Sequence, residues 1–287
     1  MSLLNLTFKM ADIPSPPMSW EDYAKRVELE WSGLLASASN ESEVQRFLEE
    51  HPSLLPTADS HCPYPGAVIS QPKLQGLTRR VPDFMWICSN SVTIIPVLIE
   101  IEHPKKMWYN GKGDPTAEFT QAVNQLRIWR TWMEDSDNQN VFRSYYGLRG
   151  GNWRGMAFKP RYVLIYGRRA EFESGKSAAL KHLRRSSQLD SEEFMTFDRL
   201  RPNRLFSDFL SVRARDNQGF EAISFPACVK IGPSFSALLD GVKDITAAIS
   251  KSPWLTPERR QFLIDRVPYW ENWRDLPGLK IRTGESE

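Results

Sequence analysis

Residues 80–102 read RVPDFMWICSNSVTIIPVLIEIE, and the organisation of the chain follows from how this stretch is taken. Arg79 to Cys88 is rich in residues that favour strands, Ser89-Asn90-Ser91 is a polar turn, and Val92 to Glu102 is almost continuously apolar. A strand apolar on both faces belongs in the middle of a sheet covered by helices. Pro96 within it lacks a donor and predicts a bulge or a position missing one ladder bond. The hairpin carries three carboxylates, Asp83 at its start and Glu100 and Glu102 at its end. Glu100 and Glu102 are two apart and share a strand face, with Asp83 within a residue or two of lying opposite them. Like charges so close repel, and burying them unpaired is costly. A hard divalent cation with oxygen ligands offsets both penalties. The plainer reading is that the strand ends emerge into solvent and the carboxylates pair with Arg79, Arg80, Lys105 or Lys106.

Working outward, Ser19 begins an amphipathic helix with Tyr23, Val27, Trp31, Leu34 and Leu35 at helical spacing. Asn40 and Glu43 form a capping-box-like start for a second helix, from Glu41 to Glu50. Val68-Ile69 predicts a short strand. After His103-Pro104, Asp114-Pro115 predicts the start of a helix running to Met133, with Phe119, Ala122, Val123, Leu126 and Trp129 on its buried side. Gln121 and Gln125 lie on one face of it, beside the apolar stripe, where their amides suit a phosphate, a metal-bound water or a strand edge. The stretch 145–160 reads as a flexible basic loop, YVLIY at 162–166 as a buried strand, and 194–197 as a short one. Asp198 opens a predicted helix carrying Leu200, Leu205, Phe209 and Leu210; AISFPACVKI at 222–231 predicts a strand, and 234–249 and 256–267 predict helices. Strands alternating with helices give an α/β fold, a central mixed sheet flanked by helices. The expected division is a flexible N-terminal arm at 1–17, a core at 18–215 and a smaller C-terminal extension at 216–287. Trp254, Trp270 and Trp273 are placed to anchor that extension.

Composition narrows the classes. Over 287 residues the apolar share is 41%, enough for a sizeable core, and the net charge is only +2. The overall balance therefore does not announce nucleic acid, and local clusters must carry any such reading. No run approaches the roughly 18 apolar residues of a membrane span. The N-terminal segment lacks the order of a signal peptide, and three scattered cysteines suit a reducing compartment, so a cytoplasmic protein without membrane contact is expected. Four dispersed histidines exclude a Cys/His zinc spacing. Arg149, Arg154, Lys159 and Arg161 interleave with Trp153 and glycines, and Arg168 and Arg169 follow with Lys176, Lys181, Arg184 and Arg185. Such clusters contact phosphates without reading sequence, or form a solvated face.

Asp83 in VPDF, the strand ending E-x-E-H-P and QAVNQL on the next helix together resemble the PD-(D/E)xK nuclease superfamily, and more narrowly the Shedu-type nuclease domain of bacterial anti-phage defence proteins. ESEVQRFLEEHPSLLP, YVLIYGRR and EEFMTFDRL resemble flanking segments of that family, so the likeness covers roughly residues 38–215. It implies a restriction-endonuclease-like core, Mg²⁺- or Mn²⁺-dependent cleavage or nicking of DNA with little sequence specificity, and homo-oligomers. Asp83 and Glu100 are the implied metal ligands, Glu41 the acid that the first helix brings to the site, and Gln121 and Gln125 the helix glutamines. Where the family has lysine this chain has Glu102, a residue some restriction endonucleases with this core also use. Three readings stay open: Glu102 acts as general base or extra ligand, Lys105 or Lys106 reaches back as a substitute, or the domain is catalytically silent and only binds DNA or assembles.

Overall fold

The computed structural model describes residues 5–57, 64–77, 81–173, 177–215, 219–276, 279–280 and 287. Arg79, Arg80, Lys176, Cys62 and the expected boundary at 216–218 lie outside these residues. In chain order the elements are β1 (Asn5–Leu6), α1 (Trp20–Ser37), α2 (Glu41–Glu50), β2 (Tyr64–Ser70), β3 (Phe84–Ser89), β4 (Thr93–Ile101), α3 (Ala117–Glu134) and α4 (Ser136–Tyr145). They continue with β5 (Ala157–Phe158), β6 (Arg161–Ile165), α5 (Ser177–Ser186), β7 (Glu192–Met195), β8 (Leu210–Ala214), β9 (Phe220–Ser224), α6 (Pro233–Leu238), β10 (Val242–Lys243), α7 (Ile245–Lys251), α8 (Pro257–Asp275) and β11 (Leu279–Lys280).

The stretch at 80–102 does form the centre of the sheet. Eight strands follow the order β10-β9-β8-β2-β3-β4-β6-β7, and β5 pairs beside β4. The sheet is mixed: β3 is antiparallel to β2 and β4, whereas β4, β6 and β7 run parallel. Pro96 sits where β4 changes partner. Thr93 and Ile94 pair with β5, Val97 to Ile101 pair with β6, and the proline lies in the gap, where no ladder donor is asked for.

Alternation along the strands divides the core. Met85, Ile87, Ile94 and Leu98 face the side covered by α3, α4, α7 and α8, with Trp129 and Trp270 fully buried there. Phe84, Trp86, Val97, Ile99 and Ile101 face α1 and α2, whose Tyr23, Val27, Trp31, Val44 and Leu48 complete the second layer. The segment after residue 219 contributes β9 and β10 to the same sheet, and Trp270 and Trp273 join the first core layer. Residues 7–18 lie against this segment: Tyr269 Oη contacts Lys9 N at 2.6 Å, and Met18 N donates to Ala227 O at 3.1 Å.

Several local expectations are corrected. Helix α3 starts at Ala117, because Asn110 Oδ1 accepts the N–H groups of Lys112 and Asp114 in a turn and Thr116 becomes the N-cap, accepting from Phe119 N at 3.1 Å. The 145–160 stretch is not simply a loop: it begins at the end of α4, contains a 3₁₀ turn at Gly151–Trp153, and supplies β5. No helix follows Asp198; Pro202 separates two 3₁₀ turns, Phe197–Arg199 and Arg204–Phe206, and β8 takes Leu210. The predicted helix at 234–249 is two short helices divided by β10 at Val242–Lys243.

Candidate active site

The antiparallel register pairs Phe84 with Ile99, and one further step sets Asp83 across from Glu100. Both side chains have the parity of Met85 and Leu98 and so face α3. Asp83 Oδ2 accepts the Ile101 N–H at 2.8 Å, closing the hairpin where the ladder ends. Glu100 is buried, with Oε1 accepting from Gln125 Nε2 at 2.6 Å. Its Oε2 is buried and meets no donor among the described residues, while the Asp83 and Glu100 carboxyls hydrogen-bond each other. A carboxylate oxygen in that situation calls for a proton or a cation.

The electrostatics agree with this geometry. Burial, followed by the Asp83 charge, drives the Glu100 carboxyl well above the usual carboxylate range. Burial also lifts Asp83, to about 7; the Ile101 N–H opposes the rise, while Glu41 and Glu102 add to it. Glu41, the first residue of α2, is raised by its own burial and then by Glu102, with Lys106 acting in the opposite direction. Four acids from α2, β3 and β4 therefore feel one another at one end of the sheet.

Among the described residues one cation enters this group. Lys106 Nζ forms an ion pair with Glu102, four residues before it. Lys105 is exposed and stays out. The loop that carries Lys106 is held from several sides. Glu171 accepts from two successive backbone donors, Trp108 N at 3.0 Å and Tyr109 N at 2.9 Å. Thr116 Oγ1 donates to Met107 O at 2.8 Å, and Arg184 stacks 5.6 Å from the centre of the Trp108 ring. Gly167 (φ 55°) admits the loop: a Cβ there would stand 2.7 Å from Trp108 Nε1 and 2.8 Å from Lys106 O. Gly167 is visible in the sequence as the residue ending the YVLIY strand. Glu171 carries no such signal, since its partners are 62 and 63 residues away.

Other predicted residues divide by place. Gln121 is exposed on α3, one turn before Gln125, and makes no hydrogen bond to the carboxylates among the described residues. Arg149, Arg154 and Lys159 are exposed near the opposite end of β4: Lys159 N donates to Ile94 O at 3.0 Å, and Arg149 donates to Asn140 O at 2.9 Å. Ile94 is six residues from Glu100, about 20 Å along the strand. Arg168 and Arg169 follow β6 at the carboxylate end. The Arg168 guanidinium is engaged by Asp198, at 2.8 Å, and by Leu35 O, at 2.9 Å. Burial acts to raise Asp198, but Arg168 and the Arg169 N–H outweigh it and hold that carboxyl below its ordinary value. Arg169 is exposed.

Among the described residues no three His, Cys, Asp or Glu side chains stand in an arrangement ready to hold a metal ion. Several of their oxygens are turned to protein partners instead: Asp83 to Ile101 N, Glu100 Oε1 to Gln125 and Glu102 to Lys106. The donor chemistry nonetheless suits a hard cation, and Glu100 Oε2 is left over for it.

The model of the family described as Shedu protein SduA, C-terminal, matches residues 38–200. The chain belongs to that family. Its matched span runs from just before α2 to just past β7, so the Shedu domain includes all four acids, Lys106, Gln125 and Glu171. Membership in the SduA C-terminal family points to a role in anti-phage defence. No curated protein matches the chain. None of its described helices is long and apolar enough to cross a membrane.

Proposed function

We propose that this Shedu domain has a PD-(D/E)xK-like core and is a divalent-metal-dependent DNA endonuclease, nicking or cleaving with little sequence preference and assembled as a homo-oligomer. The observation that carries the reading is the buried cross-strand pair Asp83–Glu100 at the end of the central strand, with both carboxyls raised and one Glu100 oxygen that meets no donor among the described residues. Mg²⁺ or Mn²⁺ bound there would supply positive charge to a scissile phosphate and acidify a water. Asp83 and Glu100 would hold it, with Glu41 as a further oxygen donor. Gln125 fixes the rotation of the Glu100 carboxyl through its 2.6 Å hydrogen bond.

Lys106 answers the departure at Glu102. The residue two after Glu100 is acidic, but its carboxylate is paired with an ammonium from the next turn of chain. The pair as a whole is neutral; it brings the Lys106 N–H donors to this end of the strand and offers Glu102 as a proton acceptor. In this reading Arg169, exposed at the same end of the sheet and donating to Asp198 O at 3.3 Å, would contact DNA phosphates.

The test is nicking of supercoiled plasmid with Mg²⁺ or Mn²⁺. Asp83→Ala and Glu100→Ala are expected to abolish product, and Lys106→Ala to slow the reaction by roughly 100-fold, as for loss of one charge-stabilising donor. Nicking by both carboxylate variants at the wild-type rate ends the enzyme reading. A wild-type protein that binds DNA with a steep salt dependence yet never nicks it is the binding module instead.

A further inference from the structure

Helix α3 carries more than Gln125 past the carboxylates. Its outer side lines an open groove of about 670 Å³. Thr120, Gln121, Asn124, Arg127 and Thr131 recur along the groove at helical spacing, beside two apolar residues, Ala117 and Ile128, and none of these lining residues is acidic. The amides of Gln121 and Asn124 are exposed and make no hydrogen bond among the described residues. The groove runs past Gln125, the residue that holds Glu100. From residue 120 to residue 131 it extends about 16 Å, the axial length of about five phosphates of one DNA strand.

Helix α5 meets α3 at Arg127, whose Nη2 donates to Ser187 O at 3.5 Å, one residue past the end of α5. Its sequence, SAALKHLRRS, holds Lys181, Arg184 and Arg185 and no acid. Arg184 stacks 4.8 Å from the centre of the Phe172 ring as well as over Trp108, which ties α5 to the loop that carries Lys106. Lys181 and Arg185 are one turn apart, exposed, and without an ion pair among the described residues. The nearest acids in sequence, Glu173 and Asp190, stand beyond the helix ends. A stripe of uncancelled positive charge attracts a polyanion, and amide side chains beside it are common partners of phosphate and sugar oxygens. A basic helix with Leu183 and Leu189 about 40% exposed also suits an anionic lipid surface. The groove decides for nucleic acid, because a bilayer surface does not enter a groove lined by amides within one turn of the residue that holds Glu100.

We propose that the α3 groove and α5 form the track for the DNA backbone, Gln121 and Asn124 donating to phosphate oxygens beside the scissile one and Lys181 and Arg185 neutralising phosphates farther along. The inference rests on the reading of this domain as one that acts on DNA. The full chain, in EDTA, is titrated with a short fluorescent DNA duplex by anisotropy across a range of NaCl concentrations. Lys181→Ala/Arg185→Ala is expected to lose at least ten-fold in affinity at low salt and to reduce the slope of log K against log [NaCl] by about two, at roughly 0.9 per phosphate contact. Asn124→Asp, which sets a carboxylate in the groove, should also weaken binding at least ten-fold. Lys243→Ala/Lys251→Ala removes the same charge near the other edge of the sheet and should bind as wild type. Every replaced side chain is exposed, so Tm should stay at the wild-type value. The track is overturned if wild type shows no salt-dependent binding, if the Lys181 and Arg185 double variant keeps the wild-type slope, or if the Lys243 and Lys251 double variant loses as much. It is also overturned if the Lys181 and Arg185 double variant loses binding to phosphatidylglycerol vesicles and keeps its affinity for DNA. Plasmid nicking separates these results from the enzyme reading: a wild type that binds along the track yet never nicks ends the endonuclease reading alone, and one that nicks while the variants bind unchanged ends the track alone.

Discussion

Glu171 offers the sharpest test of how the candidate site is held. Its two carboxylate oxygens accept the N–H groups of Trp108 and Tyr109, and this clasp sets the loop that brings Lys106 onto Glu102. Hydrogen bonds to a charged acceptor contribute about 1.5–3 kcal/mol each. Glu171 is half-buried, so the lower value applies to both, and Glu171→Ala is expected to lower stability by about 3 kcal/mol. Glu171→Gln keeps one acceptor oxygen and should lose roughly half as much. Urea denaturation measures the change. Acetylation of the native protein, quantified by mass spectrometry at Lys106, reports the loop directly, and the rate there should rise at least ten-fold in Glu171→Ala while Lys105, already exposed, reacts as before. A loss below about 0.5 kcal/mol, within the range of an ordinary surface change, together with unaltered Lys106 protection, would show that the clasp does not position the loop.

Three other perturbations have defined signs. Buried His51, with Tyr23 Oη against its Nδ1, is lowered from 6.5 to about 3 by burial, so stability is full above pH 6.5 and falls as pH drops towards 3; relative to His51→Gln, wild type should lose about 3 kcal/mol between pH 7.5 and 4.5 in denaturant titrations. Asp83 is raised, the opposite case: its contribution is full below about pH 4 and lost as pH rises through about 7, so metal-free Asp83→Asn should gain on wild type over that window, and Mn²⁺ at pH 8 should raise the Tm of wild type only. Glu287→Ala leaves the Arg259 guanidinium buried with, among the described residues, the Ser15 and Val229 carbonyls alone, which predicts a loss of about 3 kcal/mol and faster proteolysis near residues 9–15; Arg259→Met with Glu287→Leu should recover most of it, and failure to do so refutes the ion-pair account.

Much of the frame is legible in the sequence. Val92 to Glu102 is apolar on both faces, and a strand of that kind has its place in mid-sheet, where β4 lies. The caps at Ser19 and Asn40 are local chemistry, and helices α1 and α2 begin where those side chains accept. Less legible were stretches where a turn competes with a helix. Asn110 and Thr116 displaced the expected start at Asp114-Pro115, and Pro202 and β8 broke the helix expected after Asp198. The site was half-legible. Spacing put Asp83, Glu100 and Glu102 on one hairpin, and Gln125 beside the apolar stripe of its helix. It left Gln121 equal to Gln125, and Lys105 equal to Lys106.

The sequence by itself determined that a hairpin would bring three carboxylates to one end of a central strand, because pairing in a sheet follows from alternation and turn position. Only the tertiary structure decided which charge joins them. Glu171 reaches a loop 62 residues earlier, Gly167 makes room for it, and Lys106 is thereby set on Glu102 while Arg149, Arg154 and Lys159 are left near the other end of the strand. Contacts of that range depend on how β6 lies against β4, and residue spacing along the chain carries no record of it.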